Sequence, residues 1–78
     1  MNKKILTFEL NEEKEKLEIH GDTEGLTLLI KKLQNLLYQS KQDHIHLTSS
    51  LWGGEELTDE VQGEHNKLIN EVKVFLWK

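Results

Sequence analysis

The histidines are the side chains in this sequence whose spacing could support metal chemistry. His44 and His46 stand two residues apart, so on a strand they point to the same side and could supply two ligands. His65 or a loop glutamate could supply a third ligand. No HExxH pattern and no paired cysteines accompany them, which favours solvent-exposed or hydrogen-bonded histidines. A small metal-binding domain stays open as an alternative, and we expect no cofactor.

Nucleophilic and phosphate chemistry lack their usual residues. The chain has no cysteine, and no nucleophile elbow accompanies Ser49 and Ser50, which follow closely after His46. The pair Gly53-Gly54 is followed by two glutamates, which repel phosphate, and by no lysine of the P-loop kind. A chain of 78 residues also leaves little volume for a closed pocket. We expect no enzyme.

The segment from Ser49 to Asn66 shows neither the period of two of a strand nor the 3.6-residue period of a helix. Connections longer than about 12 to 15 residues are uncommon in small domains unless they carry function. This loop contains five acidic residues and no lysine, so its local field is more negative than the chain average. The acidic residues are Glu55, Glu56, Asp59, Glu60 and Glu64.

Trp52 lies in this loop and has two compatible interpretations. An indole folded under the loop with Leu51, Leu57 and Val61 would anchor it, whereas an outward indole would suit a binding surface. The glycines after Trp52, and Gly63 further on, would permit positive φ or a close backbone approach. The candidate partner-binding residues are Trp52, Gly53, Gly54, Glu55, Glu56, Asp59, Glu60, Gln62 and Glu64.

The overall charge argues against nucleic acid as a direct ligand. Fourteen acidic residues outnumber ten lysines, arginine is absent, and the formal charge is −4, which opposes phosphate neutralisation. Such a balance suits either simple solubility or a basic protein partner. No apolar run approaches the ~20 residues of a membrane span, and the first residues do not resemble a signal peptide. We therefore expect a cytoplasmic protein that does not bind membranes.

Hydrophobic periodicity predicts four strands and one helix. Leu6, Phe8 and Leu10 alternate with Thr7 and Glu9, as in a strand with one buried face. The predicted segments are strands over 4–10, 15–20, 44–47 and 68–77, and a helix that begins after Asp22 or Thr23 and ends near Ser40. The last strand carries apolar residues on both faces, which suggests a central strand or one covered by a partner.

The helix has an apolar arc of roughly 120° that should pack on the sheet. Leu28 and Tyr38 lie outside this arc, as scattered surface residues or as part of a contact with another chain. The residues of the arc are Leu26, Leu29, Ile30, Leu33, Leu36 and Leu37.

These elements predict a single α+β domain over residues 1–78. Its architecture would be a two-layer sandwich, with one helix packed on a four-stranded, mainly antiparallel sheet in the order β-β-α-β-long loop-β. Connection lengths leave the strand order open.

Four separated motifs in the second half resemble the immunity protein 32 family of bacterial polymorphic toxin systems. They are a histidine-rich strand, a WGG loop, a QGE element and a closing LINxVKVxxW strand, and they occur in the order and spacing of that family. Glu71 stands where the family pattern leads us to expect a histidine. The corresponding residues are His44–Leu47, Trp52-Gly53-Gly54 with Glu56-Leu57, Gln62-Gly63-Glu64 and Leu68–Trp77.

The resemblance implies a protein that binds a cognate toxin domain and blocks its activity without chemistry of its own. An acidic loop could occupy a basic cleft of the toxin, such as the substrate groove of a nuclease, where its glutamates would replace phosphates. Two alternatives stay open beside it. One is the metal-binding domain built on His44 and His46, and the other is a self-associating module, in which a homodimer uses the last strand and Leu28.

Overall fold

A computed structural model of the protein describes residues 4–77. Its order of elements is strand, strand, helix, strand, 3₁₀ turn, strand, strand, so the α+β class predicted from the sequence is confirmed. The elements are β1 (Leu6–Leu10), β2 (Leu17–Gly21), α1 (Thr23–Leu37), β3 (Asp43–Thr48), a 3₁₀ turn (Ser50–Trp52), β4 (Lys67–Ile69) and β5 (Glu71–Leu76). Within the described range, no helix is both long and apolar enough to cross a bilayer.

The strands form two antiparallel sheets, so the prediction of one four-stranded sheet is wrong. The first sheet has the order β2-β1-β4, and the second pairs β3 with β5. In the first sheet Phe8 lies opposite both Ile19 and Ile69, and in the second Leu47 lies opposite Val72. The segment predicted as one last strand is thus shared between the two sheets.

Asn70 divides that segment into β4 and β5. Its carbonyl oxygen accepts a hydrogen bond from the backbone N–H of Ser49 at 2.8 Å, and its side-chain Oδ1 accepts one from the Ser49 hydroxyl at 2.7 Å. Ser49 is fully buried, so both bonds are shielded from water. Here the chain leaves β1 as its partner and takes β3, which explains why Ile69 packs on the core and Phe75 is exposed.

Helix α1 begins where the sequence predicts and ends earlier. The Asp22 carboxylate caps it by accepting from the Gly25 N–H at 2.7 Å, and Tyr38 is the C-cap, two residues before the predicted end. Gly25 is buried, and a Cβ added there would lie 1.8 Å from the carbonyl oxygen of Ile5. The lack of a side chain lets this face of the helix rest directly on the chain at the start of β1.

The helix buries only one edge of the predicted apolar arc. Leu36 is buried and Leu29 packs on the core, whereas four members of the arc are exposed. Leu28, predicted to be a surface or contact residue, packs on the core instead, because contact through Gly25 turns the helix. The exposed members of the arc are Leu26, Ile30, Leu33 and Leu37.

Strand β1 is buried on both faces. Leu6 and Phe8 join Leu47 and Leu57 in the core, as their alternation predicts. Thr7 and Glu9 were expected on a solvent face, but both are completely buried. The reason is the long loop, which covers this second face.

Candidate partner-binding loop

The loop over residues 49–66 is built of short hydrogen-bonded turns. The 3₁₀ turn ends at Gly53, whose φ of +83° is the left-handed conformation that glycine adopts without strain. The next residue, Gly54, donates to the Ser49 carbonyl at 2.8 Å, and a Cβ on it would lie 2.2 Å from the carbonyl oxygen of Thr48. The two glycines therefore supply the positive φ and the close approach that the sequence predicts.

Leu57 anchors the loop in the core. Its side chain is 1% exposed, and its backbone bonds to both Thr48 and Ser50 on the neighbouring segment. Trp52 is 63% exposed, so the prediction that the indole is buried under the loop is wrong. Leu51 and Val61, expected to share that anchor, are exposed as well. One leucine between hydrogen-bonded turns fixes the segment, which leaves the indole on the surface.

The carboxylate of Glu9 holds the second half of the loop. Its Oε1 accepts from the backbone N–H of Gly63 at 3.0 Å and from the Asn66 side-chain amide at 2.9 Å. Its Oε2 accepts from the backbone N–H of Gln62 at 2.9 Å and from the Thr7 hydroxyl. These four bonds use all the lone-pair sites of a carboxylate, so the charge is fully paired although it is buried.

The same contacts set the ionisation of Glu9. Burial alone would raise the pKa, but the hydrogen bonds from Thr7, Asn66, Gln62 and Gly63 outweigh it and lower the pKa from 4.5 to about 2. Glu9 is therefore a carboxylate at neutral pH, and its charge strengthens every bond that it accepts from the loop.

Glu56 also has a structural contact. It is half-buried, and its Oε1 accepts from the backbone N–H of Thr48 at 3.1 Å. Burial opposes ionisation of Glu56, but this hydrogen bond and the nearby charge of Lys32 leave its pKa lowered. One oxygen of Glu56 thus supports the fold.

The residues predicted to bind a partner divide between two sides of the loop. Trp52 lines two open clefts. The first, of about 420 Å³, is also lined by His46 and by the glycines and glutamates that follow Trp52. The second, of about 370 Å³, is also lined by residues 67–71. Glu55 and Glu56 also border a groove with three lysines, and the Lys4 ammonium donates to the Glu55 carbonyl at 2.8 Å. The lysines of this groove are Lys4, Lys31 and Lys32.

The other acidic residues point into water. Asp59, Glu60 and Glu64 are exposed, and the Glu64 side chain retains 91% of its accessibility. Gln62 is also exposed, but its backbone is fixed to Glu9. The structure thus presents Trp52 and three carboxylates outward on a backbone that is held from within.

The histidines have partners other than a metal. The Nδ1 of His46 lies 2.9 Å from the Oε2 of Glu71, so the residue found in place of the expected histidine forms a cross-strand pair. His44 stacks on Phe75 with ring centroids 5.3 Å apart. Within residues 4–77, the group with metal-ligand spacing is Glu9, Glu18 and His20. Glu9 has no free lone pair for an ion, and His20 lies 2.8 Å from Glu18.

Sequence reasoning missed Glu9 and Asn66 as residues that fix the loop, and it named Leu57 as one member of an anchor built around Trp52. A loop of eighteen residues lacks the regular backbone hydrogen bonds of a helix or sheet. Each of its backbone N–H groups that is buried therefore needs another hydrogen-bond acceptor. A glutamate between Phe8 and Leu10 of a strand is a suitable acceptor, and this was the available signal. The contact joins residues 54 positions apart, which no local pattern contains.

Comparison with known proteins identifies the family of the chain. The family model described as immunity protein 32 matches residues 16–72, which include β2, α1, β3, the whole loop and β4. Neither the curated proteins nor the solved structures provide a match. Since the matched region covers most of the chain and includes the motifs of the loop, the protein belongs to the immunity protein 32 family.

Proposed function

We propose that the protein is an inhibitor without enzymatic activity, which neutralises a cognate bacterial toxin by one-to-one binding through the loop over residues 49–66. The observation that supports this most directly is the way the loop is held. Two buried residues, Glu9 and Leu57, fix its backbone, and Trp52 is left 63% exposed. A loop that is ordered before binding loses little conformational entropy on association.

The exposed indole has the properties of an interface residue. Tryptophan is enriched among the few residues that carry most of the binding energy in protein interfaces. Trp52 lies between two open clefts, which would accept side chains of a partner on either side of the ring. The toxin would therefore contact the indole together with Glu55 and Glu56, which line one of these clefts.

The charge of the loop favours a basic partner. Asp59, Glu60 and Glu64 are exposed and unopposed by any lysine of the loop. Glu55 lies nearer to the lysines of α1, so it should contribute less to the field on a toxin. A nuclease with a cationic substrate groove fits this surface, because the carboxylates can take the places of phosphates.

Co-purification with the product of the adjacent upstream gene, followed by a growth-rescue assay, tests the proposal. Reversal of three loop charges, Asp59→Lys, Glu60→Lys and Glu64→Lys, should weaken toxin binding by at least about 100-fold, since removal of complementary charges slows encounter and weakens the complex. Glu56 is left unchanged because it supports the fold.

A control variant with the same number of reversed charges at another place shows whether the position of the charges matters for toxin binding. Glu12→Lys, Glu13→Lys and Glu15→Lys change the net charge equally, in the exposed turn between β1 and β2, and should leave protection intact. If both triple variants weaken binding alike, only the overall field matters. If the loop variant binds normally, whereas Phe75→Ala with Trp77→Ala abolishes protection, the inhibitory surface is the exposed aromatic side of β5.

A further inference from the structure

The helix side of the protein exposes a large apolar surface. Among residues 4–77, twelve large apolar or aromatic side chains are exposed, whereas five hydrophobic residues are buried. Contiguous exposed apolar side chains on a small domain usually mark an interaction site. Six of the twelve belong to α1 and the neighbouring β2: Leu17, Ile19, Leu26, Ile30, Leu33 and Leu37.

These six residues form one continuous surface. Leu26 lies over Gly21, because a Cβ on this glycine would be 2.8 Å from the Leu26 side chain. Ile19 and Leu17 follow Gly21 at every second position of β2, so they lie on the same face of the sheet. At the other end of the helix, Leu33 and Leu37 line an apolar groove of about 250 Å³ with Phe75 and Leu76.

The spacing of the helical part is self-complementary. Leu26, Ile30, Leu33 and Leu37 are separated by four, three and four residues, which is the seven-residue repeat of helices that pack in pairs. The sequence of intervals is the same in both directions along the helix. A second copy in the antiparallel orientation therefore presents matching positions, with Leu26 opposite Leu37 and Ile30 opposite Leu33.

The border of this stripe is uncharged on its solvent side. Thr23, Thr27 and Gln34 are exposed there, so the residues next to the stripe on this side carry no charge although each copy has a formal charge of −4. A surface that selected a cationic partner would place carboxylates at this border. The neutral border and the symmetric spacing together favour a second copy of the chain over a charged partner.

We propose that two copies of the chain associate through Leu26, Ile30, Leu33 and Leu37, with their α1 helices antiparallel about a two-fold axis. Each copy then buries the part of the apolar arc that its own sheet leaves uncovered. The second half of the loop lies on the opposite face of β1, where Gln62 and Gly63 bond to Glu9, so the dimer leaves this half exposed. This inference does not rest on the proposed function, and its test needs no toxin.

Sedimentation equilibrium over a wide range of protein concentration tests the association. The wild-type protein should be a dimer, and Ile30→Glu with Leu33→Glu should raise its dissociation constant by at least about 100-fold, since two buried charges would have no partner. Leu51→Glu is the matched control, because Leu51 is 64% exposed but lies in the loop, and this variant should dimerise normally. A monomeric wild-type protein, or equal effects of the two changes, would overturn the proposal.

Cysteine cross-linking tests the orientation of the helices, and the chain contains no cysteine of its own. A mixture of the Leu26→Cys and Leu37→Cys proteins should form disulfide-linked dimers under mild oxidation. Leu26→Cys alone should not, because two antiparallel copies of this residue are ~16 Å apart along the axis and a disulfide needs less than about 7 Å between Cα atoms. Efficient cross-linking of Leu26→Cys alone would indicate parallel helices and contradict the proposal.

Discussion

The two faces of β1 are covered in opposite ways. On one face a loop without regular secondary structure is fixed by three hydrogen bonds, from Gln62, Gly63 and Asn66, to the buried carboxylate of Glu9. On the other face a regular helix of fifteen residues leaves four of its apolar side chains exposed. Regular local structure is therefore a poor guide to how completely a segment is packed. Hydrogen bonds that pair buried polar groups can fix a loop as firmly as the burial of apolar side chains fixes a helix.

Among changes to the two faces of β1, removal of the Glu9 carboxylate should lower the free energy of unfolding most. Glu9→Ala leaves two backbone N–H groups, an amide and a hydroxyl without their acceptor, so the free energy of unfolding should fall by about 4 kcal/mol. Urea denaturation measures the loss, and hydrogen exchange at Gln62 and Gly63 locates it. Glu18→Ala, which removes a half-exposed carboxylate of the neighbouring strand, should lower the free energy of unfolding much less. Unchanged exchange at Gln62 and Gly63 in Glu9→Ala would show that other contacts hold the loop.

Truncation of the two apolar candidates for the loop anchor should have unequal effects. Leu57→Ala should lower the free energy of unfolding by about 3 kcal/mol, because it leaves a cavity beside Leu6 and Leu47. Trp52→Ala should change it by less than about 0.5 kcal/mol, since the indole is mostly in water, and should weaken toxin binding instead. Thermal and urea unfolding of both variants give the comparison. Equal destabilisation would restore Trp52 as the anchor.

Acid should loosen the loop face through Glu9. Its pKa is lowered from 4.5 in the unfolded chain to about 2 in the fold, so its contribution of about 3 kcal/mol is complete above pH ~4.5 and is lost as the pH falls towards 2. The free energy of unfolding, measured in urea across this range, should fall accordingly. Glu9→Gln carries no charge to titrate, so its curve should be flatter and should approach the wild-type curve near pH 2. Parallel curves for the two proteins would contradict this assignment.

Gly25→Ala probes the helix face and should have a smaller effect than the loss of Glu9 or Leu57. Alanine favours a helix by about 1 kcal/mol over glycine, but here its Cβ would clash with the Ile5 carbonyl. We expect a net loss of about 2 kcal/mol in unfolding free energy, as the helix moves away from β1. Thr27→Ala, an exposed position of the same helix, should be neutral or slightly stabilising. A stabilised Gly25→Ala protein would show that the helix is not seated through this glycine.

Much of the fold follows from local pattern. The alternation of Leu6 and Phe8, the Asp22 cap and the apolar arc predict β1 and the start of α1 because these signals depend on neighbouring residues alone. Glycines of the WGG motif likewise predict the left-handed turn at Gly53. The motifs in the loop also indicated the family, and the match over residues 16–72 confirms that family.

The sequence by itself determined the class of the fold, most of the elements and the family, since periodicity, capping and motifs act over a few residues. The tertiary structure alone decided the division of the last strand at Asn70, the burial of Glu9, the exposure of Trp52 and the side of α1 that meets the sheet. Each of these depends on which distant segment arrives beside a residue, as when Gly63 reaches Glu9 or Ile5 reaches Gly25. Whether burial of a polar or apolar side chain stabilises the fold depends on the residue beside it, and the packing of the whole chain determines which residue that is.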